Sequence, residues 1–537
     1  MPSPVHSLYY NNNTNTEKKQ QKNEIKCNFT ILSGRFICYN QIKERQKSLK
    51  GANSYRKEMI AMKNKKLLSA ALALTCVITA GACGGGNGSS ARPASDNTAA
   101  DTTAPVETTP PATLKEEDKA AIEEIETDFE ELENKTVRLL ANFDLNPAAG
   151  KPKSVALEMF ETKCGGHIEP ILCSWDDRYD KLSTMVLGDD SPDMFSAEDL
   201  DIFPGKVIEG KFQAMDDYVD FDSELWAPMK HVNDMFSIKG RHYIGATSTD
   251  AGVVVIYNKK TIEENGLPDP AQLLEEGNWT WDTFYDMIAK FYSRPDEKFG
   301  IDGWEFENAF AVTSGVPYVD FKDGKLVSNL ENPSIVGVQE FMLKLKRNDY
   351  PVPKSEYGWS VHPENIANGK TLFFPQGSYV LFEPDNKAVF GDPEDVMFVP
   401  MPKCPSADAY YLPSVIKGFS IPMGAKNPKG TAAYLNCVMT CRDNEKVKEI
   451  EQNQVFEDYG WTQEMYDMLL KTRELTEAHP VFEYFKAVND DVYDCVLNPS
   501  KETYNAGIPW SETVEEIKYE LQTLLDTANE KLDSLTN

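Results

Sequence analysis

The chain has 537 residues, with 55 Lys+Arg against 85 Asp+Glu and a formal net charge of −30. So acidic a surface repels nucleic acid and anionic lipid head groups, and neither is an expected partner. The length leaves room for two substantial lobes or domains, and the ten cysteines are too scattered to read as a disulfide framework.

Residues 1–61 are rich in Asn, Lys and Gln ("NNNTNTEKKQQKNEIK") and carry no sustained apolar period. After Met62, Lys63, Lys65 and Lys66 form a basic head, and the chain is then uncharged from Leu67 to Ala82. That run is shorter than the roughly 20 apolar residues a bilayer-spanning helix needs. It closes on the small residues Ala80-Gly81-Ala82, directly before Cys83. Basic head, short apolar stretch and small-residue exit are the layout of a secretory signal. The Ala-Gly-Ala-Cys ending resembles the lipobox of bacterial lipoproteins, with Ala80 where Leu is usual. The resemblance implies a signal peptide over 62–82 and a diacylated Cys83 as mature N-terminus, anchored on the outer face of the cell membrane. Residues 1–61 are then expected to come from a start placed too early, and to be untranslated or unstructured. A buried core helix with a chance Cys is the bland alternative.

Residues 84–113 are Gly, Ser, Thr, Ala and Pro with almost no large apolar side chain. Nothing there offsets the entropy of ordering, so a flexible tether is expected from Cys83 to 113. Residues 114–135 ("LKEEDKAAIEEIETDFEELENK") are expected to form a solvated acidic helix. From Thr136 strand and helix signals alternate. "TVRLLANF" (136–143) reads as a buried strand, "SVALEMFETKC" (154–164) as helix and "HIEPILCSW" (167–175) as strand. "DRYDKLSTMVL" (177–187) reads as helix and "PDMFS" (192–196) as a short strand. Repeated β-α-β with short turns predicts a mainly parallel sheet covered by helices.

"VVVIYN" (253–258) is a further strand, and "TWDTFYDMIAKFY" (280–292) a helix with Thr280 at the N-cap and Asp282 in its first turn. A second strand-helix region runs through "FFPQGSYVLFE" (373–383), "VMFVPMP" (396–402), "SVIKGFSIP" (414–422) and the helix "GTAAYLNCVMTC" (430–441). The end, 511–535, is a long amphipathic helix. Beyond Cys83 the remaining cysteines are Cys164, Cys173, Cys404, Cys437, Cys441 and Cys495. Cys437 and Cys441 stand one helical turn apart, but no second Cys or His pair accompanies them. They are expected as core thiols, and no metal or cofactor is expected.

These landmarks, in order, resemble the sugar-type extracellular solute-binding proteins, the family that includes maltose-binding protein. "SPDMF" (191–195), "FQAMDDYV" (212–219), "VIYNKKTIEENGLPDP" followed by "NWTWDTF", "NGKTLFFPQGSYV" (368–380) and "GFSIPMGAKNPKGTAAYLNCV" (418–438) carry the resemblance. It implies an α/β, two-lobed periplasmic-binding-protein-like fold of type II. Each lobe would be a mainly parallel sheet flanked by helices, with a hinge and an interlobe cleft. It further implies lobe one over roughly 136–254 with 398–441, and lobe two over 255–397 with 442–537. Carbohydrate is the implied ligand, with an oligosaccharide favoured by analogy of size. The permease subunits of an ATP-driven importer are the implied partners, and the protein is expected to act as a monomer.

Open α/β sheets bind ligands beyond the carboxyl ends of their strands. A sugar site wants aromatic rings for stacking and polar side chains for hydroxyls. On the first lobe those ends carry Phe143 and Asp144, then Trp175 and Asp176, with Asp250 near a position where the family has an acidic ligand. On the second, "GWEFENAF" matches a family loop that points to Trp304 and Glu305. Tyr379 takes the place of a stacking ring, and Trp510 matches a late aromatic. Trp226 and Trp281 are expected as packing residues.

Catalysis is not expected. No Gly-x-Ser-x-Gly or His-Glu-x-x-His occurs, and beyond Cys83 the histidines are only His167, His231, His242, His362 and His479. A secreted glycoside hydrolase stays open as a distant alternative, because a chance carboxylate pair at glycosidase spacing is compatible with so acidic a chain. A binder of peptides or another polar solute is the nearer one.

Overall fold

The computed structural model describes residues 29–32, 35–38, 114–147, 153–197, 201–303, 306–357, 360–382 and 387–535. The expected signal, Cys83 and the tether to 113 lie outside the described residues. The chain divides into two units, residues 8–106 and residues 1–7 with 107–537. In the smaller, Phe29–Leu32 pairs antiparallel with Arg35–Cys38. Two short runs with aromatic and β-branched residues flank Ser33-Gly34 there, a hairpin signal in the sequence.

In the larger unit, α1 (Glu116–Glu123) opens with Glu116, Glu117 and Asp118 in its first turn, where the helix dipole favours negative charge. It stops well short of 135. From Ile125 exposure alternates, with Ile125, Thr127 and Phe129 half-buried and Glu126, Asp128 and Glu130 exposed, the period of extended chain. Ile125, Phe129 and Leu132 pack on the core. The Leu132 amide donates to the Cys164 carbonyl at 2.9 Å, so contact with the body overrides helix propensity there.

The chain then runs β1 (Thr136–Ala141), α2 (Val155–Cys164), β2 (His167–Leu172), α3 (Arg178–Leu187) and β3 (Met194–Ser196). α2 starts where the Ser154 side chain accepts from the Leu157 amide, and it ends on Gly165 at φ 64°, a left-handed cap that glycine adopts without strain. Next come β4 (Gly245–Ala251), β5 (Val254–Asn258), α4 (Trp281–Phe291), β6 (Phe299–Ile301), α5 (Phe306–Val312) and α6 (Pro333–Arg347). α4 carries the expected Thr280 cap, completed as a capping box with Thr283. β7 (Thr371–Gln376), β8 (Val396–Pro400), β9 (Leu412–Ser420), α7 (Pro428–Arg442), α8 (Glu445–Tyr459) and α9 (Gln463–Ala478) follow, then β10 (Pro480–Val481), α10 (Asp490–Ala506) and α11 (Trp510–Ser534).

The main strands form two sheets. The first has the order β10-β9-β3-β1-β2, with β4 also on β9; the second has the order β6-β7-β5-β8. β1 runs parallel to both β2 and β3, and β6 runs parallel to β7. β9 is antiparallel to β3 and β4, and β5 is antiparallel to β7 and β8. The second sheet is therefore mixed, because its central strand enters from the first sheet and runs against its neighbours. The chain passes between sheets at Gly252–Val253 and again between β8 and β9. After α9, the short strand β10 pairs with Leu412–Pro413 of β9 and so joins the first sheet.

The tryptophans read as packing residues are buried. Trp226 donates to Asn436 Oδ1 at 2.8 Å. Trp281 stacks on Phe341 at 4.7 Å and donates to Thr313 Oγ1.

Candidate functional site where the strand ends meet

Register fixes which edges face the crossing strands. β1, β2 and β3 are parallel, and Ala141 lies opposite Leu172, so their carboxyl ends share one edge. β9 runs the other way with Phe419 opposite Ser196, which carries its first residues past that edge, where Ser414 pairs with Ala251 at the end of β4. β4 passes through Gly252 into β5, whose first residue, Val254, pairs with Gln376 at the end of β7 and with Pro400 at the end of β8. The carboxyl ends of β6 and β7 therefore lie on the edge of the second sheet from which the crossing strand comes. Both sheets turn the carboxyl ends of parallel strands, the edge on which open α/β sheets bind ligands, to the same connection. The Ser378 hydroxyl donates to the Ala251 carbonyl at 3.4 Å, tying the turn after β7 to it.

On the first edge, Asp144 is half-buried and its Oδ1 accepts from the Asn146 amide at 2.9 Å and from Asn146 Nδ2 at 2.8 Å. Trp175 is half-buried and Asp176 exposed. The Arg178 guanidinium lies 3.4 Å from the centre of the Trp175 ring, a close cation–π contact that fixes the indole plane and covers one of its faces. Arg178 is itself buried and paired with Asp201, which also accepts from the Tyr179 hydroxyl. Sequence reasoning missed Arg178 and Asp201. Arg178 does stand three residues after Trp175, at the first position of the following helix, so the turn between them brings the two side chains together.

On the second edge, Tyr379 stands in the turn after β7 and is 46% exposed. Gln376 Nε2 reaches its hydroxyl at 3.5 Å. Asp302 directly follows β6, accepting from the Gly303 amide at 2.9 Å and from the His362 amide at 2.8 Å. Burial pushes its carboxyl above the usual carboxylate range. A side chain at Gly303 would place Cβ 2.2 Å from the Pro375 carbonyl oxygen, so glycine is what lets β6 leave across β7. The residues that follow, Trp304 and Glu305, lie outside the described residues.

Three expected ligand residues have other work in this structure. Phe143 is 4% exposed and part of the core. Trp510 is equally buried at the start of α11. Its ring meets Tyr318 at 5.7 Å, and its Nε1 donates to the Leu330 carbonyl at 2.9 Å. Asp250 is held by Lys417 Nζ and Arg473 Nε, each at 2.6 Å. Burial opposes its charge, yet the two cations hold its carboxyl far below the usual range. It is an ion-paired brace beside the crossing, with both oxygens engaged. Asp144, Trp175, Asp176 and Tyr379 are the expected residues that remain on the two edges with surface to offer.

Among the described residues no group of three or more His, Cys, Asp or Glu is placed to hold a metal ion, and no helix is long and apolar enough to cross a membrane. A groove of about 410 Å³, lined by Asp269, Glu275, Glu464, Asp467, Met468 and Met397, lies elsewhere. Met397 is at the beginning of β8, the opposite edge of the second sheet.

Residues 149–440, more than half of the chain, match the family model described as bacterial extracellular solute-binding protein. No curated protein gives a sequence match. Solved structures of similar fold include the GacH receptor of Streptomyces glaucescens, determined unliganded and with acarbose. It is 14% identical, covering 73% of this chain and 98% of its own, with a TM-score of 0.53. A sugar transporter from Rhizobium etli in an open conformation is 15% identical, covering 75% and 100%, with a TM-score of 0.53. The sugar-binding protein MalE from Xanthomonas citri is 15% identical, covering 75% and 100%, with a TM-score of 0.51. At these identities the likeness is one of fold.

Proposed function

The chain belongs to the bacterial extracellular solute-binding protein family, and on that premise we propose that it captures a carbohydrate and delivers it to an ATP-driven importer. The observation that carries the reading is the convergence of two sheet edges on one connection, with Trp175 and Asp144 on one edge and the exposed ring of Tyr379 on the other. Rings offer their faces to the CH surface of a sugar, and carboxylates and amides take its hydroxyls. The acarbose complex of the GacH receptor lends support. An oligosaccharide is the ligand we favour.

In this reading the two sheets are the cores of two lobes, and ligand binding biases an equilibrium between open and closed arrangements. The closed form is presented to the permease pair by a monomer. Cys83, lipidated after removal of 62–82, anchors the protein to the outer face of the membrane, and residues 84–113 tether it near the importer. No catalytic step is proposed.

The test is a tryptophan-fluorescence titration of the purified chain with a panel of mono- and oligosaccharides. A saturable change with one glycan class, at micromolar concentration or below, is expected, and Trp175→Ala and Tyr379→Ala are expected to abolish or weaken it. No response to any sugar, with a clear response to peptides, overturns the ligand. For the anchor, metabolic labelling with a radioactive fatty acid is expected to mark the wild type and not Cys83→Ala.

A further inference from the structure

Cys164, Cys173, Cys404, Cys437, Cys441 and Cys495 are free thiols, yet two of them face each other. Cys164 closes α2 and Cys437 lies in α7. Their sulfurs are 3.7 Å apart, and the residues are 1% and 0% exposed. One turn earlier on each helix, Phe160 and Tyr434 meet edge-on at 5.5 Å, so α2 and α7 run side by side in register. The other sulfurs have different neighbours: Cys173 faces the Ala141 carbonyl, Cys404 the Ser406 hydroxyl and Cys495 the Ile517 carbonyl. Cys441 is buried one turn further along α7.

We propose that Cys164 and Cys437 are joined by a disulfide in the exported protein, stapling α2 to α7. The proposal rests on the extracytoplasmic part of the functional reading, since such bonds persist in oxidising compartments. A bond needs the sulfurs at about 2.05 Å, so each must move by about 0.8 Å, within reach of a small χ1 rotation in each side chain. The oxidant is a protein or small-molecule disulfide. One cysteine thiolate attacks it, forming a mixed disulfide and expelling a thiolate. The second cysteine thiolate then attacks the mixed disulfide. One S–S bond forms, two protons leave, and the electron pair stays with the oxidant as its dithiol. The exchange belongs to the folding chain: in the native protein the hydrogen bond it shares with Cys164 and burial hold the Cys437 thiol protonated. The two positions are 273 residues apart, and the second sheet lies within that span. The bond would close a very long loop in the unfolded chain.

The full chain is exported from a bacterial host, denatured without reductant, alkylated with iodoacetamide and digested. The expected product is a cross-linked peptide holding Cys164 and Cys437, lighter by two hydrogens than its separated parts, with Cys173, Cys404, Cys441 and Cys495 alkylated. Dithiothreitol is expected to lower the thermal midpoint of the wild type by several degrees and to leave Cys437→Ser unmoved. Alkylated Cys164 and Cys437 in the exported chain, or a cross-link to any other cysteine, overturns the proposal. Refolding the purified chain in a glutathione buffer then separates the causes: pairing there indicts the compartment, and free thiols there indict the geometry. The sugar titration is unaffected by either result, so this failure is distinct from failure of the binding reading.

Discussion

Replacing Asp250 with Asn tests whether that residue braces the crossing strands. Asp250 closes the end of β4 with its side chain 10% exposed, while those of Lys417 and Arg473 retain 24% and 26%. Asn keeps the volume but leaves two cations facing a neutral amide. Removing one partner of a fully buried pair costs about 3–5 kcal/mol, and the quarter exposure of both cations lets water recover part of that, so about 2–3 kcal/mol is expected. In a body of this size that corresponds to a fall in thermal midpoint of only about 2–4 °C. Urea denaturation gives the equilibrium value, read as a shift in midpoint at constant slope. Adding Arg473→Met is expected to restore part of the loss, because an unpaired buried charge is removed with its partner. The pH dependence has a definite sign. Asp250 is depressed in the folded state, so its contribution is full above the unfolded carboxylate value of about 4 and is lost as pH falls below it. The gap between wild type and Asp250→Asn should be flat from pH 5 to 8 and narrow below pH 4. A variant within 0.5 kcal/mol of wild type at pH 7 (the scatter of an ordinary surface change) would refute the brace.

Trp510→Ala is expected to cost about 3–5 kcal/mol of stability as a core truncation, while the folded fraction keeps wild-type sugar affinity; unchanged stability with lost affinity would return Trp510 to the binding surface. Glu483 is buried and accepts from the Tyr318 amide with both oxygens at 2.9 and 3.1 Å, and burial pushes its carboxyl up to about 8. The folded state then holds a proton that the unfolded state has lost above about pH 4, so this group makes stability fall as pH rises from 5 to 8. Glu483→Gln should remove that slope in denaturation curves taken across the range, and an unaltered slope would show that another group is responsible.

Local pattern carried much of the fold. β1, α2, β2, α3 and β3 appear within a few residues of where apolar period, Ser154 and Gly165 place them, because such elements are set by side-chain spacing and caps over a few residues. The acidic stretch after Glu123 was not legible in the same way, since its apolar residues suit a helix and the body binds them as extended chain. The site divides along the same line. Strand ends announced Asp144, Trp175 and Asp176, but the same reasoning could not see that Phe143 turns inward or that Lys417 and Arg473 close on Asp250.

What the sequence by itself determined is therefore the class of fold, the order of its elements and the edges on which a ligand could lie. These follow from the period of apolar residues and from turn and cap chemistry, which act between neighbours in the chain. Only the tertiary structure decided which aromatic and acidic residues keep a free surface. Trp510 and Asp250 are engaged by Tyr318, Leu330, Lys417 and Arg473. Those partners come from distant parts of the chain, and burial and ion pairing are set by what packs against a side chain.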